Sequence, residues 1–255
     1  MAAENFAYEN HIAESDYLFM KTYSCPVCDS TLRIPTVKSG KTRMISQDWD
    51  LRPIYKGIDP VKYDVIHCNH CGYAAIIRYH GVLAKPHKEM ILNSISANYK
   101  PLPVIMYDYG YDEAIKKFKM ALLNASVRHA HNSEMAYIAL KIAWLYRGSY
   151  QELGDYDELF EVDQKRYDEF KACEEEYLQK ALDAFVEARQ NETPPFAGMN
   201  EIILDFLIAS LCIHFDKYED ASRLISGILQ SSKATSQQKD KARDMLYEMK
   251  NTMKK

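Results

Sequence analysis

Long apolar runs are missing from this 255-residue chain. No stretch approaches the roughly 18 consecutive apolar residues that mark a membrane-spanning helix, so none is expected to cross a bilayer. The opening "MAAENFAYENHIAESDYLFMK" has acidic residues where a secretory signal would carry a basic end and an unbroken apolar run, so export is not expected either. A cytoplasmic setting follows, in which thiols stay reduced and cysteine pairs serve as ligands rather than disulfides. Glycine-rich phosphate loops, Gly-x-Ser-x-Gly elbows and His-Glu-x-x-His helices are all absent. The usual grounds for an enzyme are therefore lacking, and a non-enzymatic protein is expected. Only nine glycines and two tryptophans accompany nineteen tyrosines, a balance that suits a largely helical chain with amphipathic packing positions better than an all-β one.

What is present begins with two Cys-x-x-Cys pairs, "CPVC" at Cys25 and Cys28 and "CNHC" at Cys68 and Cys71. Two residues between cysteines let both sulfurs turn to one side while backbone N–H groups point at them, and two such knuckles can surround a tetrahedral ion. Gly72 suits the tight backbone that follows the second pair. The spacer of 39 residues, 29 to 67, is longer than the usual ribbon. Doubling a loop costs only about 0.6 kcal/mol of closure entropy, against about 10 kcal/mol or more from a structural zinc site. The expected cofactor is structural Zn2+ on Cys25, Cys28, Cys68 and Cys71, with an iron–sulfur or rubredoxin-like iron centre as the alternative. Four thiolates close the shell and leave no position for an activated water. His67 and His70 are then expected beside the site rather than on the metal.

Charge is divided between the two ends of the chain. Residues 21–88 carry eleven Lys and Arg against five Asp and Glu, and the remainder carry twenty-one against thirty-one, for a net charge of -4. A four-thiolate zinc site would subtract about two from that mild basic excess. The segment from Ser39 to Pro60 holds Gly, Pro, Asp and Ser at close intervals and reads as an irregular insert, bearing Lys38, Lys41, Arg43, Arg52 and Lys56 on and beside it. These cations raise nucleic-acid association as an alternative function. Asp48-Trp49-Asp50 reads as two exposed acids around a buried Trp, a structural turn.

From about Lys85 the apolar period changes from two to 3.6. "YDEAIKKFKMALLNA" puts Ala114, Phe118, Ala121 and Leu122 on one helical face, and "SEMAYIALKIAWLY" does the same with Met135, Ile138, Ile142 and Leu145, with Ser133 as a candidate N-cap. Residues 155–190 form one long helix or two broken near Asp168, and seven or eight helices are expected in all. "YDEAIKKFKMAL" and "YEDASRLISGIL" share a Tyr, an acidic pair, an Ala and apolar residues four, seven and eight after it, and their alanines lie 107 apart, close to three tetratricopeptide periods. "ALDAFVEA" at Ala181 reads as a degenerate copy between them. His129 and His131, two apart, point in different directions if helical, and Cys173 and Cys212 read as buried thiols.

The order of "CPVC", a strand, a basic insert with "DW", "YDVIHCNHCGYAA" and repeat-like helices resembles a bacterial family of uncharacterised proteins, domain of unknown function 2225. The matching positions are Cys25, Pro26, Cys28, Tyr63, Asp64, Cys68, Cys71, Gly72 and Tyr73; proline is commoner in that family where this chain has Asn69. The resemblance implies a zinc-binding front end and a tetratricopeptide-like body with no established activity. The expected fold is mainly α: a polar leader (1–20), a small zinc-ribbon-like β module with an irregular insert (21–84), and a tetratricopeptide-like helical stack (85–255) that offers a groove to a protein or peptide partner.

Overall fold

A computed structural model describes residues 13–101 and 107–253. It is mainly α, with small antiparallel strand pairs in its first third. Strand β1 (Leu18–Ser24) pairs with β2 (Thr31–Val37), from Leu18 opposite Val37 to Ser24 opposite Thr31. Strands β3 (Met44–Gln47) and β4 (Pro53–Tyr55) form a second hairpin, and β5 (Val65–His67) pairs with β6 (Ala74–Ile76) in a third. The insert is thus a bulged hairpin rather than an irregular loop. Its strands are short and carry Pro53 and Gln47, which masks the alternation that would have revealed them. Strand β1 begins at Leu18, within the segment read as a polar leader.

Seven α-helices follow among the described residues: α1 (Lys85–Ser94), α2 (Tyr111–Val127), α3 (Asn132–Leu153), α4 (Glu161–Asn191), α5 (Glu201–His214), α6 (Tyr218–Gln230) and α7 (Ser236–Thr252). From α2 onward each helix packs on the next, the arrangement that short helix connections impose. Helix α4 runs unbroken through Asp168 for 31 residues, about 46 Å at 1.5 Å per residue. The N-cap of α3 is His131 rather than Ser133, which is buried inside the first turn. At the last helix Thr235 and Gln238 form a full capping box.

Helix α3 is buried almost all round from Ala136 to Ser149, because α2, α4 and the front of the chain all lean on it. Gly148 faces the Tyr111 ring at a distance that a Cβ would violate, so this glycine sets how closely α2 and α3 approach. The main core joins front residues Leu18, Val61, Tyr63, Val65, Ala74 and Ile76 to the helices. A second cluster gathers Val27, Leu32, Ile66, Tyr73 and the cysteines with Ile91 and Ile95, so that α1 folds back over the knuckles.

Candidate metal centre

Both knuckles are built alike. In each, a strand ends, six residues turn, and the partner strand leaves: Cys25 to Ser30 between β1 and β2, and Cys68 to Tyr73 between β5 and β6. Cys25 N–H donates to the Ser30 carbonyl at 2.9 Å and Asp29 N–H to the Cys25 carbonyl at 3.0 Å; the matching bonds are Cys68 to Tyr73 at 2.7 Å and Gly72 to Cys68 at 2.9 Å. The fifth residue of each turn is left-handed, Asp29 at φ 59° and Gly72 at φ 77°. Backbone N–H groups of Val27 and Cys28 point at the Cys25 sulfur, those of His70 and Cys71 at the Cys68 sulfur, and that of Tyr73 at the Cys71 sulfur. Such donors stabilise thiolate charge.

The four Sγ atoms lie within 4.8 Å of one another, with Cys25 to Cys71 and Cys28 to Cys68 both at 3.6 Å. Cys25, Cys68 and Cys71 are buried and Cys28 is half-buried. Crowding sets their protonation: Cys68 is held low by hydrogen bonds from Cys25 and then Cys71, and Cys25, donating to Cys68, is pushed up to about 12. Cys71 is raised by its contacts with Cys25 and then Cys68. Four soft donors this close in a buried pocket can hold a metal ion.

Neighbouring side chains fix the second knuckle from three directions. Asn124 of α2, fully buried, donates to the Gly72 carbonyl at 3.0 Å, and Ser96 donates to the Cys71 carbonyl at 2.7 Å. Tyr99 donates to Asn69 Oδ1 at 2.9 Å and lies 3.0 Å from His67 Nε2. With its one proton given to Asn69, the Tyr99 oxygen accepts from His67 Nε2–H. That nitrogen is thereby committed to the phenol. Burial, then Lys117, pushes His67 down to about 4 and keeps the ring neutral. His70 is exposed and stands outside the cysteine cluster. Sequence reasoning missed Asn124, Ser96 and Tyr99. The one available signal was Asn124, a polar residue three positions after Ala121 on a stripe otherwise reserved for the core.

The remaining candidates scatter. The expectation for Asp48-Trp49-Asp50 is inverted: Asp50 is 0% exposed and Trp49 is 43% exposed. The hairpin tip turns Asp50 onto α3, where it accepts from Trp144 Nε1 at 2.9 Å and from Arg147 Nη2 at 2.7 Å. Arg147 also reaches Asp48 at 3.0 Å and Glu174 of α4 at 2.6 Å, so a buried guanidinium outbids apolar Trp for the interior position. Trp49 stacks on His214 instead, at 4.6 Å between centroids. His129 and His131 lie in the turn between α2 and α3, His129 left-handed and His131 capping α3, and not on a helix as considered. Cys212 is buried, which pushes its thiol up to about 11, and Cys173 is half-buried. Of the basic residues of the insert, Lys41, Arg43 and Lys56 are exposed and Lys38 half-buried. Arg52 is buried, paired with Asp59 at 3.3 Å and donating to Gln151 at 3.1 Å, and so is withdrawn from any external ligand.

A family model described as "Uncharacterized protein conserved in bacteria (DUF2225)" matches residues 18–252. No curated protein and no solved structure matches the chain. Among the described residues no helix is long and apolar enough to cross a membrane.

Proposed function

From the premise that this chain belongs to the bacterial DUF2225 family, we propose that it is a non-enzymatic, cytoplasmic interaction protein in which a structural zinc ion braces the front hairpins against a helical stack that receives a protein or peptide partner. The metal half rests on the donor set. Tetrahedral thiolates about 2.3 Å from zinc stand about 3.8 Å apart, and the pairs Cys25–Cys71 and Cys28–Cys68 stand at 3.6 Å. Zinc would add its binding energy to the folded state and would leave no coordination position for water, so its contribution is to hold shape.

The observation that carries the interaction half is a groove of about 800 Å3 across α4, α5 and α6. Leu182, Val186, Ile208 and Leu224 form its apolar floor, and Lys180, Asp183, Glu187 and Arg223 stand at its rim. Tyr111 and Tyr218, the repeat-like residues, both open helices, and stacked helix pairs create grooves of this kind. A photo-crosslinker at Val186 in the native cell should capture a discrete partner that a crosslinker at exposed Leu123 does not, and Leu224→Asp should abolish the capture. Equal capture from both positions would refute the groove. The nucleic-acid alternative loses Arg52; RNA binding that weakens steeply with salt and depends on Lys41, Arg43 and Lys56 would restore it.

A further inference from the structure

A second cavity lies where the insert hairpin meets the helices. It has a volume of about 420 Å3 and is walled by Leu51, Pro53 and Tyr55 of the hairpin, by Tyr137, Lys141 and Trp144 of α3, and by the turn Ala197–Gly198–Met199 ahead of α5. Junctions between structural units are where small-molecule sites concentrate, and this volume falls within their usual range of roughly 300 to 1,000 Å3.

Its charge is unbalanced. Among the charged lining residues are Asp64, Arg78 and Lys141, which sum to one excess positive charge, and the others are neutral. Lys141 is 9% exposed at its side chain and its Nζ is held by Asp64. Burial works most strongly against its charge, but Asp64 and then Tyr137 together more than offset this and raise the ammonium above its ordinary value. Arg78 lies 5.6 Å from the Tyr137 ring centroid and Lys141 lies 4.7 Å from the same centroid. One Arg78 N–H goes to the Ala197 carbonyl. The guanidinium lies against Gly198, where a Cβ would meet it; Arg78 is otherwise exposed and no carboxylate among the described residues pairs with it, so its remaining donors face solvent at the cleft and are available to an anion. The turn that supplies the carbonyl is tightly built: Ala197 at φ 47° and Gly198 at φ 85° are both left-handed, with Phe196 and Met199 exchanging backbone bonds at 2.9 and 2.8 Å. Val61, Ile203 and Leu207 complete an apolar wall.

We infer that this cleft binds a small monocarboxylate with an apolar body, its head group received by the Arg78 fork beside Lys141 and its body lying against the hairpin and the start of α5. A single negative charge neutralises the excess; a dianion would leave one charge uncompensated beside Asp64. The site needs neither the cysteine cluster nor the groove across α4 to α6, and it stands if either of those readings fails.

Trp144 lines the cleft and the chain has only one other tryptophan, Trp49. Trp49→Phe therefore leaves a single reporter. Its fluorescence, titrated with benzoate and octanoate and with benzamide and octanamide, should change saturably with both carboxylates, and each amide should bind at least about tenfold more weakly, the loss of one charge-assisted contact. Calorimetry on the unsubstituted protein should rank the four probes identically. Arg78→Gln should erase the preference for carboxylate over amide in a protein that stays folded, its melting temperature lowered only by the loss of the bond to the Ala197 carbonyl. Were that variant unfolded, Arg78→Lys, which keeps the charge and loses the fork, should narrow the preference. Failure of both carboxylates to bind, equal binding of acid and amide, or an unaltered preference in a folded Arg78 variant would overturn the assignment.

Discussion

Asp29 and Gly72 occupy the same place in two copies of one turn, yet they tolerate it for different reasons. Asp29 is among the few non-glycine types that visit left-handed backbone readily, and its surroundings are open to solvent. At Gly72 a Cβ would meet the Tyr99 ring at 2.5 Å as well as the left-handed strain. Gly72→Ala should therefore cost about 1–3 kcal/mol and weaken metal retention, whereas Asp29→Gly should change stability by less than about 1 kcal/mol. Thermal melts with metal analysis separate the two, and equal effects would contradict the account. At Arg147 the issue is charge. Removing it strands Asp50 and Glu174 without their cation, so Arg147→Met should cost about 3–5 kcal/mol. Arg147→Lys should recover only part of that, because a single ammonium cannot reproduce bonds from Nε, Nη1 and Nη2 to three carboxylates. Chemical denaturation of the three proteins measures both steps.

At the scale of elements, β1–β2, β5–β6 and α1 form one unit, since the apolar cluster around the cysteines draws Tyr23 from β1, Leu32 from β2, Ile66 and Ala75 from β5 and β6, and Ile91 from α1. Chelating the proposed zinc should release these elements together. Amide exchange should rise across 18–37, 65–76 and 85–95, while α4 to α6 keep their protection; a uniform loss along the chain would show that the metal supports the whole molecule instead. The β3–β4 hairpin is held independently, through Asp50 at its tip, and should keep its protection after chelation.

For the molecule as a whole, alkaline pH is the informative axis. Burial, opposed by Glu113, pushes Lys117 down to about 8. Its neutral form is the one the fold prefers, so its contribution is fully present above the unfolded value of about 10.4 and is lost as pH falls through about 8. Burial raises Tyr63, Tyr109 and Tyr111, Asp59 adding to the last, and takes Tyr79 to about 12. Their stabilisation is complete below the unfolded value of about 10 and is lost as pH climbs through the folded values. Melting temperature should accordingly rise from pH 8 toward about 10 and then fall, and Lys117→Met should flatten the rise while leaving the fall. A melting temperature that declines steadily from pH 8 would contradict the assignment.

Local chemistry was legible in the sequence by itself. The two-residue spacing of each cysteine pair, the glycine after Cys71, the change of apolar period at Lys85 and the uninterrupted run that becomes α4 depend on neighbours in the chain, and the four cysteines do come together in the structure. Which side chains would be buried against distant partners was not legible. Asp50 displaced Trp49 from the interior because Arg147, 97 residues away, waits there. Ile91 and Ile95 turned toward the knuckles because β5 and β6 left an apolar face uncovered. Arg78, Lys141 and the turn at Ala197 share a cleft only because the hairpin, α3 and the start of α5 converge on it. Short-range spacing determined the cysteine pairs and the elements; the competition for buried space between segments far apart in the chain determined the surfaces they present.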